Sequence, residues 1–182
     1  MIKYLFYIYI SLLFIFSFIL LKKYKIFYNY LVVIIIEKGR YLNMNLKIRF
    51  ADINDLESCV ELDLHKNIDT IKNKISMKEV IVAEINNEVI GCLKIEYIWT
   101  HLPFVSYIVI RKDFRSSGVG KSMLTFLEQY LKENGQSTLL SSTMTDAVNP
   151  QKWHLKMGFI ECGMLCGIND DGVGEIFFKK AL

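Results

Sequence analysis

From Lys47 onward, apolar and polar residues alternate in short blocks whose period switches between that of a strand and that of a helix. Lys47 to Phe50 reads as a short strand. Asp52 can cap the helix that follows, where Ile53, Leu56, Val60 and Leu64 recur at helical spacing. Asn67 to Met77 predicts a second, weaker helix. Glu79 to Glu84 and Val89 to Ile98 read as strands joined by a two-residue turn at Asn86-Asn87. Pro103 is expected to break the chain ahead of the apolar strand Phe104 to Ile110. Leu124, Leu127 and Leu131 mark one face of a helix over Ser122 to Glu133, closed by Asn134-Gly135. Ser137 to Thr143 is a further strand. Asn149-Pro150 is expected to cap and open another helix, which Gly158 ends. Two last strands, Phe159 to Gly167 and Val173 to Lys179, flank a turn at Asn169 to Gly172. The order β-α-α-β-β-β-α-β-α-β-β predicts a mixed α/β sheet in one domain, residues 44–182.

The first 43 residues have a different texture. Residues 4–21 are uncharged and apolar, a second apolar run covers Ile26 to Ile36, and three lysines lie between them. The first run reaches the roughly 18 residues that suggest a membrane helix. The lysines after it would face the cytosol and leave the domain there. The other reading is a mis-set start: this stretch has the Ile-, Tyr-, Phe-, Lys- and Leu-rich composition of translated AT-rich DNA. Met44-Asn-Leu-Lys-Ile-Arg-Phe then looks like the start of a cytoplasmic domain. Charge separates along the same boundary. The net +3 arises in residues 1–43, with six basic residues and one acid. Residues 44–182 carry 16 basic and 18 acidic residues. A domain of that balance has no basic excess for nucleic acid. Cys59, Cys92, Cys162 and Cys166 show no CxxC spacing, so buried, reduced thiols are expected, and no metal site.

Candidate chemistry centres on Arg115-Ser116-Ser117-Gly118-Val119-Gly120-Lys121, a glycine-bearing turn between a strand and a helix. Such a turn lets backbone approach an anion, and the N–H groups of the first helical turn point at it. Gly118 to Ser122 also resembles the end of a nucleotide-binding P-loop, but Arg115 stands where that motif needs its first glycine.

Arg115-Ser-Ser-Gly118-Val-Gly120 matches R-x-x-G-x-G, the acyl-coenzyme A loop of the GNAT acetyltransferase superfamily. The strand and turn before it, Ile108 to Phe114, resemble those of the family. So do the helix Asn149 to Gly158-Phe159 and the opening Ile48 to Leu56. The resemblance runs from Met44 to about Leu182. It implies a central, mostly antiparallel sheet that splays between the strands Ile108–Ile110 and Ser137–Thr143. Acetyl-coenzyme A would enter the gap as co-substrate, its pantetheine arm against Ile108, Val109 and Ile110. Its pyrophosphate would rest on N–H groups from Arg115 to Lys121. Asn149 and the Trp153-His154 face would border the thiol end.

The implied reaction is direct transfer of acetyl to a primary amine, on a small molecule or a protein. His154 stands where many family members carry an acidic Tyr. An ordinary imidazole is about one-quarter protonated at pH 7, so it could donate. Glu96 is a candidate general base. Tyr97, Trp99 and Tyr107 line an acceptor pocket or belong to the core, and His65 and His101 read as loop and surface residues. A non-catalytic acyl-coenzyme A binding module is the alternative, and the final hairpin is a candidate homodimer surface. Membrane attachment depends on residues 1–43, and the intact mass of the natively expressed protein decides whether they are present.

Overall fold

The computed structural model describes residues 45–182, which form one compact unit. The boundary proposed at residue 44, the apolar runs before it and the membrane question lie outside the described residues. Among the described residues, no helix is long and apolar enough to cross a membrane.

The element order is the one the residue pattern predicts. Strand β1 is Leu46–Phe50, followed by a 3-10 turn at Ile53–Asp55, helix α1 at Leu56–Leu62 and helix α2 at Ile68–Ser76. Strands β2 (Val80–Ile85), β3 (Glu88–Ile98) and β4 (Leu102–Ile110) run antiparallel. Helix α3 (Val119–Glu133), β5 (Thr138–Met144), helix α4 (Val148–Lys156), β6 (Ile160–Leu165) and β7 (Glu175–Ala181) complete the unit. The sheet order is β1-β2-β3-β4-β5-β7-β6, and β4–β5 is its parallel pair.

Local chemistry explains the joints. Asp52 accepts from the Asn54 N–H at 2.8 Å, and Asp55 accepts from the Asp52 N–H at 2.8 Å, a reciprocal cap. Asn67 caps α2 through the Thr70 N–H at 2.9 Å. Asn86 and Asn87 both take positive φ, as a tight hairpin requires. Strand β2 is buried at all six positions because helices cover both of its faces, which removes the alternation seen in half-exposed strands. One face packs Cys59, Ile71 and Ile75 of α1 and α2 on Val80, Val82 and Cys92. Helix α3 covers the other face with Met123, Leu124, Leu127 and Leu131.

Three expectations are corrected. Pro103 lies inside β4, opposite Tyr97, and the chain turns earlier, at Trp99-Thr100 with φ of 51° and 66°. Pairing with β5 begins only at Phe104, so Pro103 sits at an open strand end, where a residue without an N–H is tolerated. Asn149 is not the cap of α4. Ala147 holds that place without a side-chain bond, and Pro150 falls in the first turn, where no N–H is needed. Finally, Cys59 and Cys92 are buried as expected, but Cys162 and Cys166 are exposed on β6 and the turn after it.

Leu127 is fully buried on the inner face of α3. Leu127→Ala should lower unfolding stability by about 2–5 kcal/mol through lost transfer energy and a residual cavity. Urea denaturation measures this, and a change below about 1 kcal/mol would show that α3 does not close the core.

Candidate functional site

The site begins with an incomplete strand pairing. Strands β4 and β5 pair at only two positions, Phe104 with Leu140 and Val105 with Ser141. Beyond Val105 the strands part. Ser106 is bulged out of the β3–β4 register, and Ile108, Val109 and Ile110 pair with Leu93, Cys92 and Gly91 on the β3 side. The other edge of this segment has no strand beside it among the described residues. An edge of this kind can accept an extended ligand as an added strand.

The loop after β4 supplies the second part. Its Arg115 N–H is engaged by Lys112 O at 3.2 Å, and the Arg115 Nε donates to Ile110 O at 2.9 Å. The series of N–H groups that can face an anion therefore starts at Ser116 rather than Arg115. Ser116 takes φ +61°, and Ser117 Oγ donates to Phe114 O at 2.5 Å. Gly118 caps α3 at φ +96° with no side-chain bond, and a Cβ there would meet nothing within 4 Å. The first turn, Val119-Gly120-Lys121, holds N–H groups without intrahelical acceptors and has no acidic residue. A Cβ on Gly120 would lie 3.8 Å from the Trp153 ring and 3.9 Å from Ile108, so Trp153 packs over the helix entry. Beside it, a cleft of about 180 Å³ runs between α3 and α4, lined by Lys121, Lys156 and the Lys180–Glu128 ion pair. Asn149 is exposed in the first turn of α4.

His154 lies at the apex of the splay. It is buried, stacks on Phe178 with ring centroids 4.7 Å apart, and meets Phe159 edge-on. Nδ1 is 2.8 Å from Pro150 O, which can only accept, so the ring carries its proton on Nδ1. Nε2 is then the acceptor, 2.8 Å from Ser141 Oγ. Ser141 Oγ also lies 3.1 Å from Val105 O, and its single proton can serve only one of these partners at a time. Burial pushes the imidazole below its ordinary value, against smaller upward effects from the Pro150 carbonyl and the Glu175 charge. The ring is therefore less protonated at neutral pH than the quarter expected from an ordinary imidazole. Neutral, its Nε2 accepts a hydrogen bond from the Ser141 hydroxyl; protonated, it donates to Ser141 and turns the hydroxyl toward Val105.

Glu96 is placed differently from a base at the gap. It sits opposite Phe104, at the closed end of the β4–β5 contact. Its Oε1 lies 2.9 Å from Lys74 Nζ and accepts from Ser106 Oγ at 3.3 Å. Tyr107 donates to Leu62 O at 3.0 Å and lies under Lys94 Nζ, which makes it a strut between α1 and β4. Tyr97 and Trp99 are exposed near the β3–β4 turn and outside the core, His101 Nδ1 contacts Trp99 O at 2.7 Å, and His65 is exposed.

Sequence reasoning missed four residues. Ser141 is in register with the buried Leu139, and a polar residue at an inward strand position is a readable signal. Ser142, one step on, points to the opposite face. There its Oγ donates to Glu175 Oε1 at 2.6 Å, while Asn169 Nδ2 donates to Glu175 Oε2 at 2.9 Å. No local pattern announces this trio.

The sequence model of the acetyltransferase (GNAT) family matches residues 50–159. No curated protein matches the chain. Among solved structures, the chain is similar to a GNAT-family acetyltransferase from Bacillus cereus ATCC 10987, with 25% identity and a TM-score of 0.63 over 75% of this chain and 96% of that one. It is similar to ribosomal-protein-alanine N-acetyltransferase from Brucella melitensis, with 20% identity and a TM-score of 0.64 over 75% and 99%. A third likeness is to a Bacillus anthracis str. Ames protein in complex with acetyl coenzyme A, with 22% identity and a TM-score of 0.53 over 57% and 61%.

The buried imidazole makes folding sensitive to acid. The unfolded chain takes up a proton near an ordinary imidazole value of about 6.5, while the folded ring resists it. The stability contributed by neutral His154 is thus full above that value and is lost as pH falls through the lower, folded-state value. Thermal melts between pH 7.5 and 5.5 should show a falling midpoint in the wild type and a shallower fall in His154→Gln; parallel curves would refute the assignment.

Proposed function

Since the chain belongs to the GNAT family of acetyltransferases, for which acetyl-coenzyme A is the acyl donor, we propose that it acetylates a primary amine of a small molecule or protein by direct attack. The observation that carries this reading is the two-pair contact between β4 and β5. It leaves a free backbone edge that leads straight into an uncapped helix N-terminus. A long ligand with an amide-bearing arm and a diphosphate fits that sequence of groups. The arm pairs with Ile108, Val109 and Ile110, and the diphosphate lies on N–H groups from Ser116 to Lys121. The helix dipole adds about 0.3–1 kcal/mol toward an anion, and Lys121 and Lys156 make the adjoining cleft net cationic, Lys180 being paired there with Glu128. Gly118 fits the same reading, because no side chain stands between the loop backbone and the ligand there.

Acetyl-coenzyme A supplies the electrophilic thioester carbonyl when bound. The chain's own groups manage protons around it. His154 holds a proton at Nε2 or releases it through Ser141, the last paired residue before the gap opens. The ring stacked on Phe178 and closed in by Phe159 keeps bulk water from that relay. A neutral imidazole is suited to accept the proton an attacking ammonium must lose, and the protonated ring is suited to return it to a leaving thiolate. His154 thus takes both directions of transfer, a wider role than that of an acid alone.

Free coenzyme thiol released across a panel of primary amines tests the proposal. The wild type should turn over at least one amine. His154→Gln should turn over at least tenfold more slowly, with little change in coenzyme A affinity. Undiminished turnover in that variant would remove His154 from the chemistry.

A further inference from the structure

Glu175 differs from every other shielded carboxylate among the described residues. Asp55, Asp63, Glu79, Glu84, Glu96 and Glu128, buried or half-buried, each have a lysine or arginine nitrogen within 3.0 Å. Glu175 is half-buried too, yet its partners are neutral: the Ser142 hydroxyl on one oxygen and the Asn169 amide on the other. Two donors fix the carboxylate plane and leave lone pairs on both oxygens. A half-desolvated charge held in one orientation without a counter-ion is costly unless something brings the cation.

The surroundings say what kind of cation fits. Glu175 is paired across the sheet with Met144 on β5 and Leu165 on β6, both exposed apolar side chains. Two residues along β7, Phe177 shares the same face and stacks on Phe104 with centroids 6.0 Å apart. Ser142 lies just beyond Ser141, so this carboxylate borders the part of β5 that has left β4. Since β5 alternates, Ser142 and Glu175 occupy the face opposite Ser141 and His154, and the open gap between β4 and β5 beyond Ser141 is the route by which an ammonium held there reaches the Ser141–His154 pair.

We infer that Glu175 is the recognition residue for the acceptor, and that the acceptor is a primary ammonium with an apolar or aromatic body. The charge sits on Glu175, held by Ser142 and Asn169, and the body lies on Met144, Leu165 and the Phe104–Phe177 stack. The inference rests on the acetyl-transfer reading for its meaning, but the binding it asserts is separately measurable.

Calorimetric titration of the full chain, saturated with coenzyme A, with 2-phenylethylamine and with the neutral 2-phenylethanol is the test. The wild type should bind the amine more tightly than the alcohol. Glu175→Gln should weaken the amine at least tenfold and leave the alcohol and coenzyme A within twofold. Equal amine affinity in both proteins, or no wild-type preference for the amine, would overturn the inference. If Glu175→Gln loses coenzyme A affinity through misfolding, Ser142→Ala and Asn169→Ala decide. Each keeps the carboxylate but frees it, and should weaken the amine at least threefold with the alcohol unchanged; an unaltered amine affinity in both refutes the assignment. The two readings fail separately. Glu175-dependent ammonium binding without thiol release from any amine would defeat acetyl transfer and leave the cation site standing.

Discussion

Two residue pairs, Phe104–Leu140 and Val105–Ser141, join β1–β4 to β5, β7 and β6 within the sheet. The proposed chemistry depends on that contact being so short. A longer parallel pairing would satisfy the β4 edge and close the gap. No pairing at all would detach Ser141 from Val105 and loosen the hydroxyl that faces His154 Nε2. The bulge at Ser106 helps set the limit, because it shifts the β3–β4 register just where β4 must turn away from β5.

Around this contact the molecule divides its work between the two sheet faces. One face carries α3, α4, the glycine-bearing loop before α3 and the buried imidazole. The other carries Glu175 between exposed apolar side chains. Ser141 and Ser142, identical and adjacent, belong to different faces because strand side chains alternate. A one-residue slip of β5 would exchange their partners, so the register of β5 against β7 matters to function as much as to stability.

The fold was largely legible in the residue pattern because its determinants are local: the caps at Asp52 and Asn67, the Asn86-Asn87 turn and the leucine stripe of α3. Pro103 and Asn149 misled for the same reason. Each is a strong local signal overruled by context, an open strand end in one case and a helix first turn in the other. The glycine-bearing turn from Arg115 to Lys121 was visible because it lies in consecutive residues, and Gly118 at φ +96° opens α3 there. The Ser141–His154 bond and the isolation of Glu175 could not. The first depends on how α4 packs on β5. The second emerges only when every other shielded carboxylate has found its cation, through partners as distant in sequence as Arg49 and Glu84 or Glu128 and Lys180.

The sheet separating His154 from Glu175 is one strand layer thick, and the carboxylate's charge is felt by the imidazole through it, raising its proton affinity. On the proposed assignment of Glu175, an arriving ammonium cancels that field. The ring then binds its proton less tightly, so occupancy of one face and protonation of the other are thermodynamically linked. Cation uptake on the Glu175 side makes proton release on the His154 side easier, without any movement of the backbone between them.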